Sequence, residues 1–237
     1  MQPQPMQGFD ITTLNRKAFF SLVWLGLIVY AFLLAPPNQP DTFDLIKRLS
    51  TGQWAGINPL IVALFNLMGI WPMIYAAVML VDGCGQKLSA WPFVVGAFGV
   101  GAFAILPYLA LRQPSPSFTG SKTAVLRLVE SRLLGIGLFL GSLALMVYGL
   151  GWGDWDDFMQ QWQSDRFIHI MSLDFCLLSL LFPALLADDK ARRVQTSAGQ
   201  GNRPWLWLLS VIPVLGPTAY LSLRPGLPDV SREPIAA

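Results

Sequence analysis

Long apolar runs constrain this chain more than any other feature. Six can be marked, each to within a few residues at its ends: roughly 18–35, 59–81, 90–111, 131–151, 167–187 and 205–223. A helix needs about 20 residues to cross a bilayer; the first run is marginal, and two prolines interrupt the last. Because backbone polar groups in lipid must be satisfied within the segment, helices are expected. The runs predict an all-α, polytopic transmembrane bundle of six spans, or of five spans and one re-entrant segment.

The composition supports a bilayer as the surrounding solvent and as a partner. The 237 residues are 54% hydrophobic and 13% charged, about half the charge of a typical soluble domain. A net charge of +2, without a cluster of basic residues, argues against nucleic acid as a partner. The two cysteines, Cys84 and Cys176, suggest neither a disulfide framework nor a zinc site.

The distribution of Lys and Arg predicts which loops are cytoplasmic. With six spans, ten of these residues lie on the face formed by 36–58, 112–130 and 188–203, counting Arg132 at the start of the following helix, and six lie on the other. The face with more positive charge is cytoplasmic, or stromal in a plastid. Arg16 and Lys17, just before the first run, oppose this assignment because it places them on the non-cytoplasmic side. If the first run only dips into the membrane, they lie on the cytoplasmic side and the conflict is removed. Both versions place 112–130 and 188–203 in the cytoplasm and 152–165 on the opposite side.

A short motif, Y-L-x-L-R, occurs twice, at 108–112 and at 220–224. In each half an apolar run is followed by an amphipathic stretch, by a proline-containing span that ends in an acidic residue, and by a second proline-containing run. These features are consistent with an internal duplication of a three-span unit. The corresponding division is a polar N-terminal segment (1–17), two membrane halves (18–111 and 131–223), a linker (112–130) and a tail (224–237).

Tryptophans mark one of the amphipathic stretches. Trp152, Trp155, Met159 and Trp162 fall within one helical arc, as expected for a helix that lies at the membrane interface. A tryptophan-rich loop packed on the protein is the alternative interpretation.

One carboxylate lies inside an apolar run. Asp174 is about two turns into the fifth run, where an ionised group would cost roughly 2.5–3.5 kcal/mol at a helix centre. It should therefore face the bundle, be protonated or find a donor, and Asn66 in the second run is a plausible neutral partner. Such residues are functional hypotheses by default, although a structural hydrogen-bond acceptor fits the sequence equally well.

His169 is the single histidine of the chain. It lies about 140° around the helix from Asp174, so the two side chains do not share a face. Asp165, one turn earlier, is a better-placed partner. A structural role at the interface is favoured, and the alternatives are ligation of one pigment magnesium or metal ion and proton transfer. The sequence contains no recognisable metal site or set of catalytic residues, so no cofactor is expected. A contact with a single chlorophyll or lipid molecule stays open.

Small residues predict close helix packing at two places. Gly137 and Gly141 have the G-x-x-x-G spacing, and Ala97 and Gly101 repeat the spacing of small residues in the third run. Such pairs let neighbouring backbones approach each other.

Four stretches carry a resemblance to a known family: NPLIVALFNLMGIWPMIYAAVMLVDG, SAWPFVVGAFGVGAFAILPYLALR, DRFIHIMSLDF and PVLGPTAYLSLRP. They resemble cyanobacterial and chloroplast integral membrane proteins. The resemblance covers most of 58–225 and implies a photosynthetic lineage and a thylakoid-type membrane, but it carries over no catalytic residues.

Three functions follow as hypotheses. The first is a non-enzymatic factor that assembles, stabilises or scaffolds a larger photosynthetic membrane complex, with its subunits as partners. The second is a small inverted-repeat transporter or channel, which would use Asn66 and Asp174. The third is a pigment- or lipid-binding membrane protein, which would use His169 and the tryptophan-rich interface.

Overall fold

The described part of the chain is built from helices and the loops between them. The structure is a computed structural model that describes residues 11–115, 118, 123–194 and 212–227. Its α-helices within these ranges are α1 (Ile11–Val29), α2 (Thr42–Ser50), α3 (Pro59–Asp82), α4 (Trp91–Val100), α5 (Ala102–Leu111), α6 (Ala124–Val129), α7 (Arg132–Trp152), α8 (Trp155–Ser164), α9 (Arg166–Leu181), α10 (Pro183–Val194) and α11 (Leu215–Leu223). A π-helical turn, Tyr30–Leu34, extends α1.

Four helical stretches are long and apolar enough to cross a membrane: Leu14–Leu34, Pro59–Gly85, Arg132–Trp152 and Arg166–Arg193. The prediction of a helical protein with membrane-length apolar helices is therefore confirmed. The prediction of six spans is not confirmed. The third run folds as two short helices, and residues 205–211 of the sixth lie outside the described residues.

The third run forms a helical hairpin, because α4 and α5 turn back on each other at Gly101. This residue has a φ of +50°, a conformation that glycine adopts without strain. The rings of Phe93 and Tyr108 come within 5.5 Å of each other, and at the open end Gln113 N–H donates to Gln86 Oε1 at 2.7 Å. Each ten-residue arm is only about 15 Å long, half the hydrocarbon thickness. Both ends of the hairpin therefore lie at the same end of the molecule.

Helix α3 is the centre of the fold. Its side chains from Ile70 to Asp82 are almost all buried, and the Tyr75 hydroxyl donates to the Leu178 carbonyl of α9 at 2.7 Å. By contrast, α1 and α7 expose large apolar side chains such as Leu22 and Leu133. Lipid can solvate such outer faces, whereas water cannot do so without cost.

Helix α1 packs along α5 and donates to two carbonyls that lack a donor within α5, one because of the proline and one because it lies at the helix end. Pro107 has no N–H, so the Phe103 carbonyl lacks its usual donor within the helix. The indole N–H of Trp24 donates to this carbonyl at 2.9 Å. The Arg16 guanidinium donates to the Leu109 carbonyl, one of the last carbonyls of α5, at 3.0 Å.

The two ends of the bundle differ. At the first, which we call the α8 end, the α2 and α8 regions meet: Asn58 Nδ2 donates to the Asp154 carbonyl at 2.7 Å and Gln39 Nε2 to the Ser164 carbonyl at 2.8 Å. At the second, the α10 end, the ends of α3, α5 and α11 meet α10. Loops 36–58 and 152–165 thus share an end, contrary to the six-span count, because the hairpin does not cross the bundle.

The cations divide unevenly between these ends. Three of the described Lys and Arg residues lie at the α8 end: Lys47, Arg48 and Arg166. The other ten lie at the α10 end: Arg16, Lys17, Lys87, Arg112, Arg127, Arg132, Lys190, Arg192, Arg193 and Arg224.

The packing face of α7 differs from the predicted one. A Cβ at Gly137 or Gly141 would meet nothing within 4 Å in the described structure, so this pair does not pack on another described helix. The tight contacts are at Gly135, against the backbone of α11, and at Gly149, against α3. Ser142, midway between them, is fully buried. A seven-residue spacing of small residues therefore identifies the packing face.

Candidate functional site

The intramembrane carboxylate caps a helix. Asp174 is 5% exposed, and its Oδ1 accepts a hydrogen bond from the backbone N–H of Ala102 at 2.8 Å. This N–H belongs to the first turn of α5, where no carbonyl of the helix itself can accept it. An acidic side chain is favourable at such an N-terminus. Asp174 thus satisfies a polar group that the hairpin leaves without a partner inside the bundle.

Glycine at the hairpin tip makes this contact possible. A Cβ at Gly101 would lie 1.8 Å from Asp174 Oδ2, so a side chain there would collide with the carboxylate. Ala97, one turn earlier, is buried, and a Cβ at Gly96 would lie 3.1 Å from the Cβ of Ala104 in α5. Of the two small residues predicted in the third run, Gly101 lets α9 approach the tip closely, whereas the close approach of the two arms is at Gly96, which was not predicted.

A cavity of about 590 Å³ lies beside this tip. It extends from polar residues at the α8 end, Asn38, Thr42 and Arg166, to Gly101 and Asp174 at the tip. The wall between them is apolar and comes from the π-helical turn, α3, the hairpin and α9: Ala31, Phe32, Phe65, Met68, Gly69, Ala97, Phe98, Gly99, Val100, Phe103, Phe167, Ile170 and Met171. The cavity thus has a polar end at the α8 end of the bundle and an apolar interior that ends at a carboxylate.

Arg166 is fixed at the polar end by the chain that follows α1. Its Nε donates to the Pro36 carbonyl at 2.8 Å, and its backbone N–H donates to the Pro37 carbonyl at 3.2 Å. Among the described residues, no carboxylate lies within 4 Å of its guanidinium. This charge is therefore available to a ligand in the cavity.

His169 is placed elsewhere and has a structural environment. The side chain is 6% exposed; its Nδ1 lies 2.8 Å from the Trp162 carbonyl and its Nε2 lies 2.8 Å from the Tyr30 hydroxyl. The imidazole also stacks on the Trp162 ring at 4.4 Å. Since both ring nitrogens contact protein groups, metal ligation would have to break one of these hydrogen bonds. Asp165 does not pair with the imidazole but caps α9, accepting from the Phe167 N–H at 2.7 Å.

The predicted pairing of Asn66 with Asp174 is wrong. Asn66 Nδ2 donates to the Val62 carbonyl of its own helix at 2.8 Å. The tryptophans also separate: Trp152 and Trp155 are exposed, at the end of α7 and the start of α8, whereas Trp162 packs on His169. The amphipathic stretch is helical, as α8, and its position at a membrane interface stays a prediction.

The described residues contain a second polar feature, a buried ion network at the α10 end. Asp82 accepts from the Tyr108 hydroxyl at 2.5 Å, from Arg112 at 3.0 Å and from Arg192. Arg112 also pairs with Asp188 at 2.7 Å. Asp82, Arg112 and Arg192 are almost fully buried.

The other half of the network repeats this arrangement. Asp189 accepts from the Tyr220 hydroxyl at 2.6 Å, from Arg193 at 2.9 Å and from Arg224 at 3.2 Å. Glu130 pairs with Arg193 at 2.7 Å and with Arg224 at 2.9 Å. In each Y-L-x-L-R motif, the tyrosine and the arginine thus bind one shared aspartate, which is Asp82 for the first motif and Asp189 for the second.

The network has balanced charge, which indicates a structural role. It contains four arginines and four carboxylates: Asp82, Arg112, Glu130, Asp188, Asp189, Arg192, Arg193 and Arg224. The sequence identifies the motifs but not their partners. The D-D-x-x-R-R pattern of α10, with its i,i+4 pairs, was the signal that could have identified them.

No protein-family model, no curated protein and no solved structure matches the chain. What the protein does must therefore be inferred from its own cavity and polar contacts.

Proposed function

We propose that the protein is an integral membrane protein that binds an amphipathic, lipid-like molecule in the cavity between α1, α3, the α4–α5 hairpin and α9. The observation that carries this proposal is the cavity itself, with polar residues at one end and an apolar wall. Its volume of about 590 Å³ lies within the range of small-molecule sites, which are mostly apolar with a few polar groups that orient the ligand.

The position of the cavity favours a ligand taken from the membrane. Phe32 and Phe98, two of its lining residues, are also among the exposed large side chains of the π-helical turn and of α4. A molecule dissolved in the bilayer could enter between these helices without crossing water. This proposal develops the third hypothesis from the sequence, with Arg166 and the hairpin in place of His169.

The uneven distribution of cations supports a cytoplasmic, or stromal, α10 end. Ten described Lys and Arg residues lie there, against three at the α8 end, and the positive-inside rule assigns the richer end to the cytoplasm. This proposed assignment agrees with the cytoplasmic side expected for 112–130 and 188–203, and Arg16 and Lys17, which precede the first apolar run, no longer oppose it. A thylakoid location rests on the family resemblance.

The repeated tyrosine and arginine contacts favour the internal duplication in an altered form. Each Y-L-x-L-R motif ends a short helix that begins after a residue with positive φ, Gly101 or Val214. A unit of two spans and one hairpin would return to the side from which it started. We therefore propose two units with the same orientation, rather than the inverted repeat expected for a transporter.

Filling the cavity tests the binding function. Gly69 lines it, and a Cβ there would meet nothing within 4 Å, so Gly69→Leu should fill space without disturbing α3. Gly26→Leu is the matched control, because Gly26 has the same open surroundings but does not line the cavity. After purification in mild detergent, lipid bound per protein is measured by native mass spectrometry. Wild type and Gly26→Leu should retain a lipid, and Gly69→Leu should lose it. Equal retention by all three would contradict the proposal.

The assembly or scaffold role stays a prediction from the sequence and the resemblance. Purification from native membranes in the same detergent tests it separately. Partner subunits would be recovered with wild type and with Gly69→Leu alike, because the substitution changes only the cavity.

A further inference from the structure

We infer that the ligand carries an anionic headgroup, phosphate or carboxylate, and that Arg166 binds it at the α8 end of the cavity. This inference rests on the proposed function, and it identifies the chemical class of the ligand and its orientation.

The first argument is the free charge of Arg166. The four arginines of the ion network all have carboxylate partners, whereas Arg166 has none within 4 Å among the described residues. The Pro36 carbonyl binds only its Nε. The Nη groups of a guanidinium form a planar fork that matches phosphate and carboxylate oxygens.

The second argument is the position of this charge relative to the cavity. Asn38 and Thr42 line the same polar end as Arg166 and add neutral groups able to bind headgroup oxygens. Because Arg166 begins α9, its side chain lies at the level where a headgroup meets the hydrocarbon. The cavity therefore presents a positive end at the membrane surface.

The third argument is the depth of the cavity. Arg166 and Asp174 are separated by eight residues of one helix, which corresponds to about 12 Å. One leaflet of the hydrocarbon core is about 15 Å thick. The cavity thus accommodates the chain of a lipid from the leaflet at the α8 end.

The position of Arg166 also determines the orientation of the ligand. Arg166 lies at the polar end of the cavity, and the wall between it and Gly101 is apolar. The headgroup therefore lies at Arg166, and the apolar chain points towards Gly101.

The experiment compares lipids that differ only in headgroup. Purified protein is equilibrated with phosphatidylglycerol or with phosphatidylcholine of identical acyl chains, and the bound fraction is measured by native mass spectrometry. Wild type should prefer the anionic lipid by roughly tenfold, and Arg166→Gln should lose this preference. Arg166→Lys should recover part of it, because the charge remains but the planar fork does not.

The matched control is Lys47→Gln. Lys47 is an exposed cation at the same end of the bundle that does not line the cavity, so its loss should leave the preference unchanged. Equal preference in wild type and Arg166→Gln, or an equal loss in Lys47→Gln, would overturn the inference.

Two further measurements, competition with inorganic phosphate and comparison with Gly69→Leu, distinguish a failure of the headgroup assignment from a failure of the proposed binding function. Inorganic phosphate is added as a competitor, and binding of phosphate without any lipid would overturn the assignment of a lipid headgroup. If Gly69→Leu loses the bound lipid but wild type binds both headgroups equally, the role of Arg166 is overturned and the cavity remains a binding site. Lipid retention that is indifferent to Gly69→Leu would overturn both.

Discussion

Asp174 and Ala102 lie 72 positions apart in the chain and are joined by a 2.8 Å hydrogen bond from the Ala102 N–H to Asp174 Oδ1. The bond links a long helix, α9, to the tip of a hairpin that ends inside the bundle. The first N–H groups of a helix have no acceptor within the helix itself. The carboxylate thus allows the hairpin to end at the cavity.

Removing this acceptor should destabilise the hairpin. Asp174→Ala leaves the Ala102 N–H without its partner, at an expected cost of about 1–3 kcal/mol in the free energy of unfolding. Asp174→Asn keeps an oxygen acceptor of similar shape and should cost less. Chemical unfolding in detergent micelles measures both. Asn66→Ala is the control and should be nearly neutral, because Asn66 bonds only to its own helix among the described residues. Equal losses for Asp174→Asn and Asp174→Ala would mean that the charge, not the acceptor, is required.

A methyl group at the hairpin tip should be more disruptive than one beside it. Gly101→Ala places a Cβ 1.8 Å from Asp174 Oδ2 at a residue with a φ of +50°. The collision and the backbone strain together should cost at least about 2 kcal/mol. Gly99→Ala is the matched variant, because a Cβ there meets nothing within 4 Å in the described structure. Thermal unfolding should show a lower midpoint for Gly101→Ala alone, and a similar midpoint for both variants would contradict the tip geometry.

Replacing Asp82 in the ion network should lower the free energy of unfolding more than replacing Asp188. Asp82→Ala leaves two buried arginines, Arg112 and Arg192, without a carboxylate they share. Breaking such a buried pair costs roughly 3–5 kcal/mol, because an uncompensated charge remains. Asp188 pairs only with Arg112 among the described residues, and its side chain is 20% exposed, so Asp188→Ala should cost clearly less. Unfolding measurements in one detergent compare the two variants, and the reverse order would show that the network is centred elsewhere.

The sequence predicts the helices better than the contacts between them. Hydropathy identifies the third apolar run, but it does not distinguish one crossing helix from two arms that turn at Gly101, since both are apolar along their whole length. It also identifies Asp174 as a residue that needs a donor. The donor is a backbone N–H created by that turn, so a search among polar side chains selects Asn66 instead. The Y-L-x-L-R motifs are visible in the sequence, whereas their aspartates depend on how α3 and α10 meet.

The hairpin makes a prediction about topology that labelling can test. With six spans, Cys84 would lie opposite the loop 112–130, whereas in this structure Cys84 and Arg127, a described residue of that loop, both lie at the α10 end. A membrane-impermeant maleimide should therefore react with Cys84 from the same side as with Arg127→Cys, made in a Cys84→Ser background. Thr51→Cys in that background should react only from the other side, because α2 belongs to the α8 end. Cys176 faces outward within a spanning stretch and should stay unlabelled. Labelling of Arg127→Cys and Thr51→Cys from one side, with Cys84 on the other, would restore the six-span arrangement.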